Sequence, residues 1–467
     1  MQSVDNQALT SQYLALVEQT DPAGDGRGLA WESMERGSAW ALGHPAYFSY
    51  VPRLLNRTSR DQLAAIAETT HGILEKVIRA YLDDPAFCTL FRFDPRVHEL
   101  IMAPNACPDI LPYGRFDCFF NETTGQARFV EFNADCSSGM NKTRESLLAD
   151  AASAPAKAFC EACATESDID ELFGGWVRDF LDLYAGACEN LGRARPEHPT
   201  IAIAVCLDAD DVPLGELAEY ARLFAQAGCA CSVCDVRDFA FDENGRLSCE
   251  NPLQGEPLRA VDAVWRFCIV VDLLAHWDEC QPFLDAMRTG DIPLIGGFAT
   301  QLVHDKQLFA LLREPAVQAL LTPDERAFVE ASVPFTAFLD SPNLDLAAVK
   351  ADPARWVIKP TDWYDSIGVY VGAEYSPEEW ADVVDRCREQ PGPSPYLVQE
   401  FCAIETTPVV PLYGTAADAT ASVQEYGCLT GTYVHRGRFA GLYNRLGPNA
   451  LVTDDAVCIV SPTLWCD

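Results

Sequence analysis

Two neighbouring apolar runs in the first third of the chain carry the polar residues most suited to chemistry. The stretch over residues 113–141 reads YGRFDCFFNETTGQARFVEFNADCSSGMN. Its apolar runs, 115–120 and 127–133, flank a turn-forming segment at 121–125 that contains Asn, Thr and Gly. This pattern predicts a β-hairpin.

The predicted hairpin places oxygen-bearing side chains close together. Asp117 lies near the start of the first strand, and Glu131 and Asn133 are two residues apart on the second, so both project from one face. Two carboxylates and a carboxamide offer oxygen ligands, which Mg²⁺ prefers, commonly together with substrate phosphates. Arg115 lies on the same face as Asp117 and could contact those phosphates.

Strict alternation along the second run predicts that Phe129 and Glu131 point away from Val130 and Phe132. The alternative interpretation of the whole hairpin is a solvated face with ordinary surface charges. A second, phosphate-binding half elsewhere in the chain would favour the metal site.

Composition narrows the class of protein. The 467 residues are enough for two or three domains, and the 49% hydrophobic content is typical of a globular chain. Lys and Arg total 34 against 69 Asp and Glu, a formal charge of −35 that disfavours nucleic-acid binding. The negative field favours a cationic substrate, although solubility or a salty habitat explains it equally well.

Targeting signals and cysteine usage indicate a cytoplasmic protein. We find no run of about 18 apolar residues and no signal-peptide pattern at the start, so we expect no membrane association. The 19 cysteines lie scattered in apolar stretches, as small buried residues of a reducing compartment do. The alternative is zinc binding by the cysteine clusters at 229–234 or 160–163, but neither has a matching second pair nearby.

Residues after the hairpin divide into further units. A continuous apolar run at 200–207, a helical pattern at 214–227 and a second run at 229–236 predict a βαβ unit with a parallel sheet. We therefore expect four regions. They are a mainly helical N-terminal region (1–100), a metal-binding half with helices (101–194), a parallel α/β domain (195–300), and a lysine-bearing half with closing antiparallel strands (301–467).

The last region supplies the phosphate-binding half. Lys359 ends a predicted strand, and the loop at 361–368 contains Gly368, so a point charge and backbone donors could together hold phosphates. Lys306 begins a predicted helix, where the dipole also favours anions. The strand at 396–401 offers polar atoms and backbone groups that could bond to an adenine edge.

The combination resembles the glutathionylspermidine synthase-like family, a circularly permuted branch of the ATP-grasp superfamily. The resemblance extends from about residue 45 to the end. It depends on RFD, EFNAD and SSGM in the first half, and on WVIKP, GVYVG and LVQEF in the second. In the permuted branch the metal-bearing half precedes the lysines, as it does here. The resemblance implies an α/β (α+β) fold with a parallel, pre-ATP-grasp-like domain.

The resemblance also implies a role for each matching residue. The implied roles are Mg²⁺ ligation by Asp117, Glu131 and Asn133; contact with the transferring phosphoryl group by Arg115; ATP-phosphate binding by Lys306 and Lys359; adenine binding by Gln399, Glu400 and Phe401; closure on the phosphates by Arg445; and acyl-substrate binding by Ser137 and Ser138. The implied activity is an ATP-dependent carboxylate–amine ligase that uses ATP and Mg²⁺ and joins two small molecules through an acyl-phosphate.

Two other functions stay open at this stage. One is a nucleotide-binding sensor or scaffold without turnover, and the other is a kinase that leaves a stable phosphorylated product. The loop at 361–368 departs from the family pattern because it carries two aspartates where the family has a glycine-rich or basic stretch. Neither the acid, the amine nor the oligomeric state follows from the sequence.

Overall fold

A mixed sheet of eight strands carries the predicted hairpin and lies in the middle of the molecule. The computed structural model describes residues 5–41, 43–134, 137–206, 212–363, 366–389, 394–414, 422–449, 451–452 and 457–467. In spatial order the strands of this central sheet are Pro411–Leu412, Phe48–Ser49, Ile459–Ser461, Arg438–Gly447, Gln424–His435, Tyr113–Asn121 and Gln126–Asn133, with Thr406–Val409 pairing Gln424–His435 off this path. The strand with Asp117 therefore lies between its hairpin partner and the closing strands near the C-terminus.

The predicted hairpin is confirmed, but its strict alternation is wrong. Asp117 pairs with Glu131 and the next residue pairs with Phe129, so Val130 is the extra residue of a β-bulge. Because the bulge resets the alternation, Phe129 turns into the core, where its ring lies 5.2 Å from that of Phe132. Glu131 stays on the face that it shares with Asn133.

A second sheet confirms the predicted parallel α/β unit and with it the α/β fold class. Its strands, in spatial order, are Leu294–Ile295, Ala263–Arg266, Thr200–Val205 and Ala230–Asp235, and all pair in parallel. Helix Leu214–Gln226 connects the last two. These strands are buried on both faces, which explains their continuous apolar runs.

A third sheet, which we call the lysine sheet, carries Lys359. Its antiparallel strands are, in order, Thr336–Phe338, Tyr396–Glu400, Trp356–Pro360 and Tyr370–Val371. Helices Leu346–Ala351 and Pro377–Glu389 cover one face and enclose a hydrophobic cluster that includes Trp356, Trp380 and Val398. Its functional side chains therefore point away from that cluster, toward the central sheet.

Helices surround the three sheets. The α-helices are Asn6–Thr20, Asp25–Arg36, Arg57–Asp83, Pro85–Cys88, Pro95–Ile101, Met140–Ala151, Ala154–Ala162, Trp176–Asn190, Leu214–Gln226, Val270–Ala275, Gln281–Thr289, Gln301–His304, Gln307–Leu311, Pro315–Gln318, Pro323–Ser332, Leu346–Ala351 and Pro377–Glu389. Shorter 3₁₀ and π turns are Phe298–Thr300, Pro353–Arg355, Gly372–Glu374 and Glu171–Gly175. Within the described ranges, every helix is too short or too polar to traverse a bilayer.

Small strands complete the fold. Arg53–Asn56, Thr463–Cys466 and Thr165–Glu166 form one sheet, and two hairpins pair Trp40–Ala41 with His44–Pro45 and Phe239–Phe241 with Leu247–Cys249. Every described cysteine is a free thiol, and most are buried, as predicted for small core residues. Cys136 lies outside the described residues.

Candidate functional site

Asp117 is the centre of a buried charged cluster on the central sheet. Arg115 donates to it twice, from Nε to Oδ1 at 2.8 Å and from Nη2 to Oδ2 at 3.1 Å. Arg445, on strand Arg438–Gly447, donates from Nη2 to Oδ2 at 2.5 Å. Asn133 Nδ2 is 3.2 Å from the same oxygen. Four of the predicted residues therefore meet at one carboxylate.

A glycine on the neighbouring strand makes room for this arrangement. Gly431 pairs with Asp117 across the sheet. A Cβ atom at position 431 would lie 2.6 Å from Asp117 Oδ1 and 2.8 Å from Arg115 Cδ, closer than real Cβ contacts allow. The glycine is thus a condition for the carboxylate and guanidinium to lie flat against the sheet.

Glu131 connects this cluster to the lysine-bearing half of the chain. Lys306 Nζ lies 2.9 Å from Glu131 Oε1 and donates at 2.7 Å to the carbonyl of Trp363. Lys359 Nζ donates at 3.0 Å to the carbonyl of Val130, the bulge residue. Two lysines that are distant in sequence therefore converge on the strand that carries Glu131.

The cluster has a balance of charge opposite to that of the chain as a whole. Burial alone would raise the pKa of Glu131, but Lys306, Arg445 and Arg115 hold that pKa well below its usual range. Burial opposes the charge on Lys306, yet the Glu131 carboxylate outweighs it and raises the pKa of Lys306. Burial and the nearby Lys306 lower the pKa of Lys359 to about 8. At neutral pH the cluster thus holds charged arginines and lysines around ionised Glu131.

Ser137 and Ser138 lie beside the cluster and are held mainly through the backbone. Ser137 Oγ donates to the carbonyl of Asn133 at 2.8 Å. The Ser138 carbonyl accepts from Arg115 Nη1 and from the Tyr433 hydroxyl, both at 2.7 Å. Arg115 therefore connects the serine segment to the Asp117 carboxylate.

Sequence reasoning missed a buried glutamate that fixes this serine segment. Glu216, on helix Leu214–Gln226, accepts from the backbone N–H groups of Gly139 and Asn141 at 3.1 and 3.0 Å. Burial raises the pKa of Glu216 despite these two bonds. The acid satisfies the start of helix Met140–Ala151, so that helix end has its anion supplied by the chain itself. Only the number of apolar neighbours around position 216 hints at this role, because the partners are some 75 residues away.

The predicted adenine-binding strand lies in the lysine sheet, outside the charged cluster. Gln399 is buried and donates to Thr336 Oγ1 at 2.9 Å. Glu400 lies 3.5 Å from Arg128 and 3.4 Å from Arg355, and its N–H donates to the carbonyl of Phe335. The N–H of half-buried Phe401 donates to the carbonyl of Arg355. These side chains do not contact the charged cluster directly.

The loop after Lys359 contacts Lys306 in its described part. The backbone N–H of Lys306 donates to the carbonyl of Thr361 at 2.7 Å, and Asp362 Oδ2 accepts from Gln301 Nε2 at 2.9 Å. The first aspartate of the loop is therefore hydrogen-bonded within the protein. The second aspartate, Asp365, lies outside the described residues. Gly368 has a φ of +74° and lies against Pro360 and Tyr396.

The predicted metal ligands have suitable donor chemistry. Asn133 Nδ2 lies 3.2 Å from Asp117 Oδ2 and 3.4 Å from Glu131 Oε2, so the three side chains converge and offer an oxygen set. Both carboxylates are neutralised here by arginine or lysine. Among described residues no group of three or more His, Cys, Asp and Glu side chains has a metal-site arrangement, and the predicted set has only two such acids. Oxygen donors of this kind fit Mg²⁺.

Comparison with known proteins identifies the class of fold. The chain is similar to a glutathione synthetase-like effector from Globodera pallida, solved in its apo form, with a TM-score of 0.55 at 11% identity over 98% of this chain and 97% of that one. The chain thus has a glutathione synthetase-like α/β fold. A candidate gamma-glutamylcysteine synthetase from Methylobacillus flagellatus aligns with a TM-score of 0.37 at 10% identity, over 82% and 84% of the two chains. No family model and no curated protein matches the sequence.

Proposed function

We propose that the chain is an ATP-dependent carboxylate–amine ligase, in which ATP phosphorylates a small carboxylic acid and an amine then displaces phosphate to give an amide. The observation that carries the proposal is the Lys306–Glu131 contact at 2.9 Å, together with the Lys359 bond to the neighbouring Val130 carbonyl. These bonds join a cationic half and an acidic half that are over 170 residues apart in the chain.

Charge supports a polyphosphate ligand at this cluster. Two arginines and two lysines face two carboxylates, although the protein as a whole has a charge of −35. An excess of buried cations costs free energy unless an anion compensates it. The phosphates of ATP would supply that anion, with Lys306 and Lys359 as point-charge ligands and Arg115 as a fork-shaped donor.

Mg²⁺ would be held by Asp117, Glu131 and Asn133, and when bound it would neutralise charge on the phosphates. For these carboxylates to bind a cation, Arg445 and Lys306 must turn from them toward the phosphates. The same side chains would then stabilise the negative charge of the reacting groups. Arg115 can remain on Asp117 and still direct Nη1 toward the serine segment.

Adenine would lie against the strand Tyr396–Glu400. The N–H groups of Glu400 and Phe401 are already bonded to carbonyls of Phe335 and Arg355. An adenine amino group would therefore be recognised by backbone carbonyl acceptors at this strand rather than by those two donors. Ser137 and Ser138 would position the acid next to Arg115.

The reaction predicts products that separate it from other uses of the site. We would incubate the full chain with ATP, Mg²⁺, a panel of carboxylic acids and hydroxylamine, which traps acyl-phosphates as hydroxamates. Hydroxamate and ADP that form only with a given acid support the ligase, and Arg115→Ala should abolish both. A stable phosphorylated acid that hydroxylamine does not consume would indicate a kinase instead.

A second candidate is a nucleotide sensor without turnover. The ion pairs of Asp117 with Arg445 and of Glu131 with Lys306 favour it, since they leave a stable site in which the acids are already neutralised. A sensor would bind ATP and Mg²⁺ yet give no ADP with any acid and amine. The ligase gives ADP only when both the acid and the nucleophile are present.

A further inference from the structure

A small cavity opens beside the serine segment, between the central sheet and the parallel sheet. It is lined by Pro112, Tyr113, Gly114, Ala134, Ser137, Met140, Trp176, Trp265, Arg266, Gly296, Tyr433 and His435. Gly114 and Ser137 are the chain neighbours of Arg115 and Ser138, so the cavity adjoins the charged cluster directly. A ligand group in this cavity would therefore lie next to the proposed reaction centre.

Aromatic rings form most of the cavity wall. Tyr113 stacks on Trp176 with ring centres 4.6 Å apart, and Trp176 lies 4.2 Å from Trp265. The Tyr113 hydroxyl donates to the Trp176 carbonyl, and the Tyr433 hydroxyl donates to Ser138, so both hydrogens point into protein. A wall of this kind favours planar, apolar ligand surface.

The charged group in the wall is already committed. Arg266 is buried and donates to the carbonyls of Gly296, Cys268 and Gly297 and to Thr300 Oγ1. A ligand carboxylate here would compete with those bonds. No Asp, Glu or Lys is among the described residues that line the cavity, so a ligand ammonium would find no counter-ion. A charged side group would therefore be desolvated without compensation.

His435 is the exception among these committed groups. It is 2% exposed, lies edge-on to Tyr113 with ring centres 5.4 Å apart, and neither ring nitrogen has a hydrogen-bond partner. Among the described cavity residues it is the one with such unpartnered buried atoms. Burial, Arg438 and Arg178 lower the pKa of His435 to about 3, so the ring is neutral and offers one donor and one acceptor. Buried polar atoms are normally paired, so two orphaned nitrogens facing a cavity indicate a ligand partner.

From this geometry we infer that the cavity holds the side group of the acid substrate, and that this group is an uncharged aromatic ring bearing a polar substituent that hydrogen-bonds to His435. The inference rests on the proposed ligase function for the identity of the ligand as the acid. The carboxylate of that acid would lie toward Ser137 and Arg115. Acids with a second charge, such as amino acids or dicarboxylates, would be excluded.

Ligand-observed NMR on the full chain without nucleotide tests this directly. The probes are 4-hydroxyphenylacetate, phenylacetate and glutamate. We expect 4-hydroxyphenylacetate to bind at least tenfold more tightly than glutamate, and severalfold more tightly than phenylacetate. His435→Phe, which keeps a ring and removes both nitrogens, should abolish the preference for the hydroxylated probe. The control His198→Phe changes an exposed histidine bonded to the Gly228 carbonyl and should leave all affinities unchanged.

The wild-type comparison tests the inference even if His435→Phe fails to fold. Glutamate binding as tightly as the aromatic probes, or an unchanged hydroxyl preference in a folded His435→Phe variant, would overturn it. Failure of the ligase proposal has a different signature: aromatic acids bind, but no acid supports hydroxamate formation. Turnover with charged aliphatic acids alone would overturn this inference and leave the ligase intact.

Discussion

Replacing Lys306 by Met should destabilise the protein strongly, because it leaves Glu131 as a buried acid without its closest cation. Lys306 is 7% exposed, and its Nζ lies 2.9 Å from Glu131. Removing one partner of a buried ion pair typically costs about 3–5 kcal/mol. Arg445 and Arg115 still act on Glu131, so we expect the lower end, about 3 kcal/mol. Methionine keeps the apolar stem and thereby isolates the charge.

A surface ion pair in the same half of the chain provides the matched control. Lys350 Nζ lies 2.6 Å from Asp385, and both side chains are partly exposed. Lys350→Met should therefore cost only about 0–1 kcal/mol. Denaturation in urea at pH 7 measures both variants, and an unchanged slope with a shifted midpoint reports stability alone.

A second substitution sharpens this test. Adding Glu131→Gln to Lys306→Met removes the uncompensated charge, so the double variant should recover part of the lost stability. Two results would refute the reasoning: equal midpoints for Lys306→Met and Lys350→Met, or a double variant less stable than Lys306→Met by the full cost of a second site.

Three further outcomes follow from pKa shifts and backbone geometry. Because burial and Lys306 lower the pKa of Lys359 to about 8, ATP affinity measured by calorimetry should fall between pH 7 and 9, and Lys359→Met should remove this pH dependence. Burial and Asp362 raise the pKa of Asp305 to about 7, so its stabilising contribution is lost as pH rises from about 4 through 7; Asp305→Asn should gain stability relative to the wild type over that window in urea titrations. Gly139→Ala should destabilise by more than about 1 kcal/mol, since Gly139 has a φ of +106° and a Cβ would lie 2.8 Å from the Tyr443 ring, whereas helical Gly72→Ala, with open space around it, should stabilise by about 0.5–1 kcal/mol in thermal melts.

Each of these outcomes has a result that contradicts it. A calorimetric affinity that is flat from pH 7 to 9 would mean that Lys359 does not act on the nucleotide. A constant stability difference between Asp305→Asn and the wild type from pH 4 to 7 would mean that Asp305 titrates normally. Equal melting temperatures for the two glycine variants would mean that the left-handed backbone at Gly139 imposes no strain.

Local patterns in the sequence predicted the elements that carry the site. Alternation and turn residues predicted the hairpin, and apolar runs of strand length predicted the parallel sheet, since both signals lie within ten residues of the feature. The bulge at Val130 has no such signal. It depends on how the Asp117 strand pairs with two neighbours, and only the assembled sheet determines that register.

Contacts between distant segments limited what the sequence could predict. A helix was predicted at 62–82, but it begins at Arg57 with Asn56 as its cap, because Asn56 accepts the Ser59 N–H. Glu216 and His435 gain their importance from partners on other elements, so neither has a local motif. The roles that the resemblance implies for the site residues stay predictions, although the structure brings Lys306 and Asn133 to the same side of the hairpin.

Binding of ATP with Mg²⁺ tests the central claim most directly, because it requires both halves of the chain at once. We would titrate MgATP into the wild type, Asp117→Asn, Lys359→Met and the surface control Lys157→Met, and record the melting temperature. We predict a saturable rise in the wild type and the control that is lost in the other two. No rise in the wild type, or a rise that survives in both Asp117→Asn and Lys359→Met, would contradict a single nucleotide site built from the hairpin and the lysine sheet.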